Sequence, residues 1–269
     1  NIPLPEVKIV DMRNELVNGN RSIFSNLLKE QLQYNLENKQ QTILFLNRRG
    51  YNTFVSCRNC GYVLMCPHCN ISLTYHIVNN RLTCHYCGYI TKNVKNCPKC
   101  RSSHIRHFGI GTQKVEEEIK KVFPGASVIR MDVDTTSRKS SHERILQRFQ
   151  QENIDILIGT QMVAKGLDFP NVTLVGVLAA DMSLNIDDFR SAERTFQLIT
   201  QVCGRAGRGE VKGKAIIQTY QPDNETIQLA KIHDYIGFYE KEIRIREQLN
   251  YPPFCQIVSI LVCGEQYKK

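Results

Sequence analysis

Four Cys-x-x-Cys pairs carry the most legible chemistry in the sequence: Cys57/Cys60, Cys66/Cys69, Cys84/Cys87 and Cys97/Cys100. Each pair puts two thiolates on one side of a tight turn, which suits two corners of a tetrahedron with sulfur about 2.3 Å from a Zn²⁺ ion. Soft thiolate donors without a secretory leader favour zinc over disulfides. The residues between Cys69 and Cys84 suggest how the pairs combine. Leu73, Tyr75 and Ile77 alternate with polar residues, and Asn79-Asn80 suits a two-residue turn. A hairpin there folds the second pair onto the third, giving an inner zinc site of Cys66, Cys69, Cys84 and Cys87. The outer pairs then close as Cys57, Cys60, Cys97 and Cys100. Sequential pairing is the alternative. His68 and His85 lie inside two of the pairs, but four thiolates per metal leave them as surface histidines. Cys203, Cys255 and Cys263 have no partner pattern and read as ordinary buried residues.

Two further segments could act on phosphates. Gln201-Val-Cys-Gly-Arg-Ala-Gly-Arg208 closes a helix with two arginines three apart. Paired guanidiniums suit a polyphosphate whose charge grows during phosphoryl transfer. Gly159–Pro170 follows an apolar strand and places Thr160, Gln161, Lys165, Gly166 and Asp168 where open α/β sheets bind ligands.

The elements that must position these residues alternate between strand and helix. Helix Ile23–Glu37, with Ser22 as N-cap, is followed by strand Thr42–Leu46. After the cysteines come helix Thr112–Val122, strand Ser127–Met131, helix Ser141–Gln151 and strands Ile154–Gly159 and Val172–Leu178. Helix Arg190–Cys203 and strand Ala215–Thr219 complete the set. Continuous apolar runs such as 172–178 are what a parallel sheet buried on both faces requires. The expected fold is an α/β lobe, a parallel sheet flanked by helices, with an inserted β zinc-ribbon-type module binding two zincs. The expected bounds are a linker over 1–22, the lobe over 23–56 and 105–222, and the zinc insertion over 57–104. Residues 223–269 are expected as a helical extension (one helix, Asp223–Gln248) and the opening strand, Phe254–Cys263, of a further domain.

The 269 residues carry 35 Lys and Arg against 26 Asp and Glu, a formal charge of +9. The balance excludes disordered, collagen-like and coiled-coil classes, and no apolar run reaches the roughly 18 residues of a membrane span. Between Glu37 and Glu116 there is no acidic side chain, yet there are eleven Lys or Arg, which points to a polyanionic partner. Two divalent cations and eight thiolates would lower +9 by four, to +5, so that field is weaker than composition suggests.

In this order the segments resemble the second RecA-like lobe of a superfamily 2 helicase. Thr42–Gly50 is similar to motif IV, Gly159–Pro170 to motif V and Gln201–Arg208 to motif VI. The four cysteine pairs after motif IV, with Gly109-Ile-Gly-Thr112, Phe189–Arg194 and Tyr251-Pro-Pro-Phe254, narrow the resemblance to the PriA family of primosomal replication-restart helicases. The resemblance implies that Arg205 and Arg208 complete an ATP site from the second lobe, with Arg208 as arginine finger and Gln201 beside them. It places Asp168 and Gly166 near the nucleotide, and Thr160, Gln161, Arg48 and Arg49 on the DNA backbone. Leu167-Asp168 departs from the family's pattern, which has histidine first. The resemblance further implies ATP and Mg²⁺ in the full-length protein and single-stranded and branched DNA as substrates. Its implied partners are a single-stranded-DNA-binding protein and primosome or helicase-loading proteins. The setting it implies is a bacterial, nucleoid-associated monomer in the cytoplasm, without membrane contact.

The sequence contains no Gly-x₄-Gly-Lys-[Ser/Thr] and no Asp-Glu-x-His box. The phosphate cradle and Mg²⁺ ligands are therefore expected in a first lobe preceding Asn1, and the chain alone is expected not to hydrolyse ATP. The competing readings are a zinc-ribbon nucleic-acid-binding module and a partner-docking scaffold, neither with a motor role.

Overall fold

The computed structural model describes residues 4–46, 53–68, 71–76, 79–85, 87–107, 111–132, 135, 141–160, 169–186, 188–207, 209 and 211–258. The chain opens with β1 (Glu6–Asp11), α1 (Met12–Val17), α2 (Asn26–Glu37) and β2 (Gln41–Leu46). An inserted module follows, made of β3 (Thr53–Cys57), β4 (Thr74–His76), β5 (Arg81–Thr83), β6 (Ile90–Lys92) and β7 (Ile105–His107). The main body resumes with α3 (Thr112–Val122), β8 (Val128–Met131), α4 (Ser141–Gln151), β9 (Ile156–Gly159) and β10 (Val172–Leu178). It ends with α5 (Asp181–Leu184), α6 (Ser191–Cys203), β11 (Lys214–Thr219), α7 (Glu225–Lys231) and α8 (Tyr235–Gln248).

Six parallel strands form the main sheet in the order β1-β11-β10-β2-β9-β8. Side chains on a strand alternate between faces, so a central strand must be apolar throughout. In β2, Ile43 and Phe45 enter one core, with Phe149 of α4, Phe196 and Ile199 of α6 and Phe238 of α8. Leu44 and Leu46 enter the other, with Leu28 and Leu32 of α2 and Val115 and Ile119 of α3. These two cores make the lobe a three-layer α/β structure. Because all six strands run the same way, the sheet has two distinct edges. Leu46, Met131, Gly159, Leu178 and Thr219 end strands at the carboxyl edge, and Gln41, Val172 and Lys214 begin them at the amino edge.

The module leaves and re-enters at the carboxyl edge, where β3 and β7 pair antiparallel, Val55 opposite His107. Its five strands run in the order β6-β5-β4-β3-β7. The β4–β5 hairpin turns at Asn79-Asn80, with Asn80 at φ +48° and its side-chain oxygen accepting from the Tyr75 hydroxyl. Leu73 is buried, whereas Ile77 lies outside the described residues.

Several elements differ from the sequence expectation. Residues 6–11, expected within a linker, form the edge strand β1 in register with β11, because Val7 and Ile9 pack on the core while Glu6 and Lys8 face outward. Helix α2 is capped by Ser25, whose hydroxyl accepts from the Leu28 amide. Ser22 instead closes a local turn onto Phe24. The stretch expected as one helix over 223–248 is broken after Lys231. His233 takes a left-handed φ of +56°, and the Asp234 carboxylate caps α8 through the Gly237 amide. Short α5 lies where no helix was expected. Phe254–Val258 is not a strand, and 259–263 lie outside the described residues. No helix among the described residues is long and apolar enough to cross a membrane.

Candidate functional site

The cysteine turns share one backbone plan. In the first, the Cys57 amide donates to the Tyr62 carbonyl and the Gly61 amide to the Cys57 carbonyl. Cys84 repeats this with Tyr89 and Gly88, and Cys97 with Ser102 and Arg101. The Cys66 amide likewise donates to the Ile71 carbonyl. In these three turns the residue just after the second cysteine is left-handed: Gly61 at φ +71°, Gly88 at +74° and Arg101 at +60°. Glycine adopts that conformation without strain; arginine does not. The plan turns both sulfurs of a pair, and the amides around them, inward.

Two groups of thiols result. Cys57, Cys60, Cys97 and Cys100 have their Sγ atoms within 4.8 Å of one another, and so do Cys66, Cys84 and Cys87. Cys69 lies outside the described residues. The sulfurs of Cys57 and Cys100, of Cys60 and Cys97, and of Cys66 and Cys87 are each 3.6 Å apart. That is far beyond a disulfide bond and near the ~3.8 Å edge of a tetrahedron with 2.3 Å metal–sulfur bonds. The donor set and spacing fit zinc.

The outer group is electrostatically uneven. Burial pushes the Cys60 thiol up to about 12 and also raises Cys57, whereas the Ser102 amide, first among several donors, draws Cys100 down to about 6. Asn59 also donates to the Cys100 sulfur. Four thiols this close share too little cationic partnership to ionise together, and a divalent cation removes that barrier, so metal uptake here releases protons. His68 and His85 are exposed and outside both groups; His85 packs edge-on against His76. Cys203 is fully buried, its thiol pushed up to about 12 by desolvation. Cys255 is only half-buried, contrary to expectation, because it follows the last helix on the surface, and Cys263 lies outside the described residues.

The arginine turn lies at the other end of the lobe. Helix α6 packs Phe196, Ile199 and Val202 on the sheet and ends at Gly204, with Gln201 exposed and Arg205 half-buried just beyond. The turn is held to the amino edge by the Gly207 amide, which donates to the Val172 carbonyl. Gly207 is left-handed at φ +72°, and a Cβ there would sit 2.1 Å from the Gly213 nitrogen. Glycine is therefore required for the turn to press against the start of β11. Thr160 is buried at the opposite, carboxyl edge, where its amide donates to the Met131 carbonyl. Gln201 and Arg205 are thus brought together on one helix end, well apart from Thr160. Arg48, Arg49, Gln161, Gly166, Asp168 and Arg208 lie outside the described residues.

Residues 66–92 match the PriA DNA helicase Cys-rich region (CRR) domain, and residues 101–210 match the helicase conserved C-terminal domain. Replication restart protein PriA of Bacillus subtilis is 59% identical over 266 residues, covering 99% of this chain and 33% of that protein. The chain is a PriA relative. PriA of Synechocystis sp. is 53% identical, covering 97% of this chain and 32% of that protein. A solved structure of RecG bound to a three-way DNA junction has a TM-score of 0.48 at 12% identity, over 91% of this chain and 22% of that one. The chain spans about a third of the length of the PriA proteins it matches.

Residues that sequence reasoning missed lie where the Cys-rich module meets the lobe. Arg58, inside the first cysteine pair, is buried and donates through Nε to the Tyr220 hydroxyl at 2.8 Å. The Tyr220 amide in turn donates to the fully buried carboxylate of Asp181, at 3.0 Å to Oδ2. Desolvation raises the Asp181 pKa, opposed by the Thr219 hydroxyl and the Tyr220 amide. Gly61 was the one available signal, since a glycine after a cysteine pair marks a left-handed turn.

Proposed function

We propose that this chain is the second motor lobe of an ATP-dependent 3′→5′ DNA helicase that acts in replication restart and primosome assembly. The observation that carries the reading is the division of labour between the two sheet edges. The arginine turn, with Gln201 and Arg205, sits at the amino edge, while Thr160 and the Cys-rich module occupy the carboxyl edge. A motor needs nucleotide chemistry and track contact at separate places on one stiff body, and α6 runs between them. The identity to PriA proteins supports the same assignment.

In this reading Arg205 and Arg208 reach a triphosphate held by a first lobe and stabilise charge developing on the transferred phosphoryl group, with Arg208 as the finger and Gln201 orienting the site. Asp168 and Gly166 lie on the nucleotide side. Thr160, Gln161, Arg48 and Arg49 grip the backbone of single-stranded or branched DNA at the opposite edge. Zinc, one ion in each cysteine group, would clamp a module whose own core is small, built on Val55, Leu64, Leu73 and Leu82. Cys69 completes the inner set. Mg²⁺ accompanies ATP on the first lobe. The lobe comprises β1 to β2 and α3 to β11, the zinc-binding insertion lies between β2 and α3, and α7 and α8 follow as a helical extension. A single-stranded-DNA-binding protein and helicase-loading proteins are the protein partners, and the setting is the nucleoid region of a bacterial cytoplasm, with the protein acting as a monomer.

The test is ATP hydrolysis with and without single-stranded DNA, measured on this 269-residue chain and on the intact parent protein. The parent is expected to show DNA-stimulated turnover and the chain alone none, because the sequence carries no phosphate-cradling Gly-x₄-Gly-Lys-[Ser/Thr] loop. DNA-stimulated hydrolysis by the chain alone would overturn the assignment of roles.

A further inference from the structure

The first cysteine turn does more than present two sulfurs. Its Arg58 side chain is only 7% exposed, yet it forms no ion pair among the described residues. A guanidinium is almost never buried without a specific partner. Here the partner belongs to the lobe: Nε donates to the Tyr220 hydroxyl, and the guanidinium carbon lies 5.4 Å from the centre of the Tyr220 ring. Beside it the backbone of Gly61 runs so close to Tyr220 that a Cβ on Gly61 would sit 2.2 Å from the Tyr220 carbonyl oxygen.

Two further contacts close the same junction. Phe54 and Val63 from the module form one buried cluster with Met12, Ala179 and Tyr220 from the lobe. The Ser72 hydroxyl donates to the Asn185 carbonyl just after α5. Tyr220 itself is anchored from behind, since its amide and the Thr219 hydroxyl both donate to Asp181, the first residue of α5. From α5 the chain enters α6, whose 13 residues span about 20 Å and end at Gln201 and Arg205.

We propose that Arg58 and Tyr220 form the joint that fixes the Cys-rich module on the motor lobe, so that the module and the helix carrying the arginine turn move as one body. Both are positioning residues. The inference rests on the motor reading only for what the joint is used for; the joint itself is a property of this chain.

Hydroxyl-radical footprinting of methionines tests it, because the chain carries a reporter and a control. Met12 is 3% exposed within the junction cluster, whereas Met131 is fully buried in the sheet core. Tyr220→Phe keeps the ring and removes the hydroxyl; Arg58→Lys keeps the charge and removes the planar fork. Loss of one hydrogen bond to a charged group corresponds to about a tenfold or greater shift in an opening equilibrium. Oxidation of Met12 is expected to rise roughly tenfold in each variant while Met131 stays protected. Unchanged Met12 oxidation in both variants overturns the joint. A parallel rise at Met131 also overturns it, since the pair would then stabilise the lobe as a whole. Neither result depends on ATP hydrolysis, so failure of the joint and failure of the motor reading are separable.

Discussion

Replacing Gly61 with alanine isolates the steric part of the junction. Two costs arise. The first is conformational: φ at Gly61 is +71°, and a left-handed alanine costs roughly 1 kcal/mol. The second is spatial, because the new Cβ would stand 2.2 Å from the Tyr220 carbonyl oxygen, where real carbon–oxygen contacts do not fall below about 3 Å. Both atoms belong to tightly held backbone, so the turn must retreat from the end of β11; forced packing of this kind costs roughly 1–3 kcal/mol. Gly88 provides the matched control. It holds the same place in its own cysteine turn at φ +74°, but a Cβ there meets nothing within 4 Å. Gly88→Ala should therefore show the conformational cost alone. The two variants are expected to differ by about 2 kcal/mol, or roughly 4–8 °C in melting temperature for a chain of this size. Calorimetry of the zinc-loaded chain and its two variants measures that gap. Equal melting temperatures would refute the close approach of the first cysteine turn to the lobe.

Two other expectations concern the metal groups and a buried carboxylate. Cys97→Ser is expected to lower zinc from two ions to one per chain and to leave the thiols of Cys66, Cys84 and Cys87 protected from alkylation. Loss of protection there instead would contradict the grouping. Asp132 is subject to desolvation, which raises its pKa, but the Thr112 hydroxyl, the Thr135 amide and Arg130 outweigh it and hold the carboxyl below its usual range. A depressed carboxyl stabilises the fold above its unfolded pKa, near about 4, and that contribution disappears as pH falls through the folded value. Asp132→Asn should therefore be less stable than wild type at pH 7 by about 1–2 kcal/mol, with the gap narrowing below about pH 4. A gap that is independent of pH would contradict the account of Asp132.

Periodicity made the lobe legible wherever a long element commits one face to the core. Thr112–Val122, Ser141–Gln151 and Val172–Leu178 have the bounds that their apolar spacing suggests. Short and edge elements were harder to read. In β1 half-exposed Lys8 and Glu6 alternate with Val7 and Ile9, and Pro3 and Pro5 just before them signal a linker more strongly than four residues of alternation signal a strand. Helix α5 is a single turn of four residues, too short for any 3.6-residue pattern to register. The break at His233 depends on a left-handed backbone and a cap by Asp234, which an apolar count over 223–248 does not sense.

The candidate site divides along the same line. Cysteine spacing is local chemistry, and the outer four thiols, with Cys66, Cys84 and Cys87, gather in the nested order that the β4–β5 hairpin suggests. The joint is not local. Arg58 and Tyr220 are 162 residues apart, and in sequence the first is one of eleven basic residues in an acid-free stretch. Its burial, which gives it meaning, comes only with the packing of the module on Met12 and on the residues that follow β10 and β11.

Arg208→Ala in the intact parent protein tests whether this lobe completes an ATP site with its arginine turn. ATP turnover and single-stranded-DNA affinity are measured on the same preparation. Loss of DNA-stimulated hydrolysis on the order of 10³-fold or more is the expected result for an arginine finger, with DNA affinity unchanged. Full hydrolysis with weakened DNA binding would contradict it, and would place the turn on the DNA instead of the nucleotide.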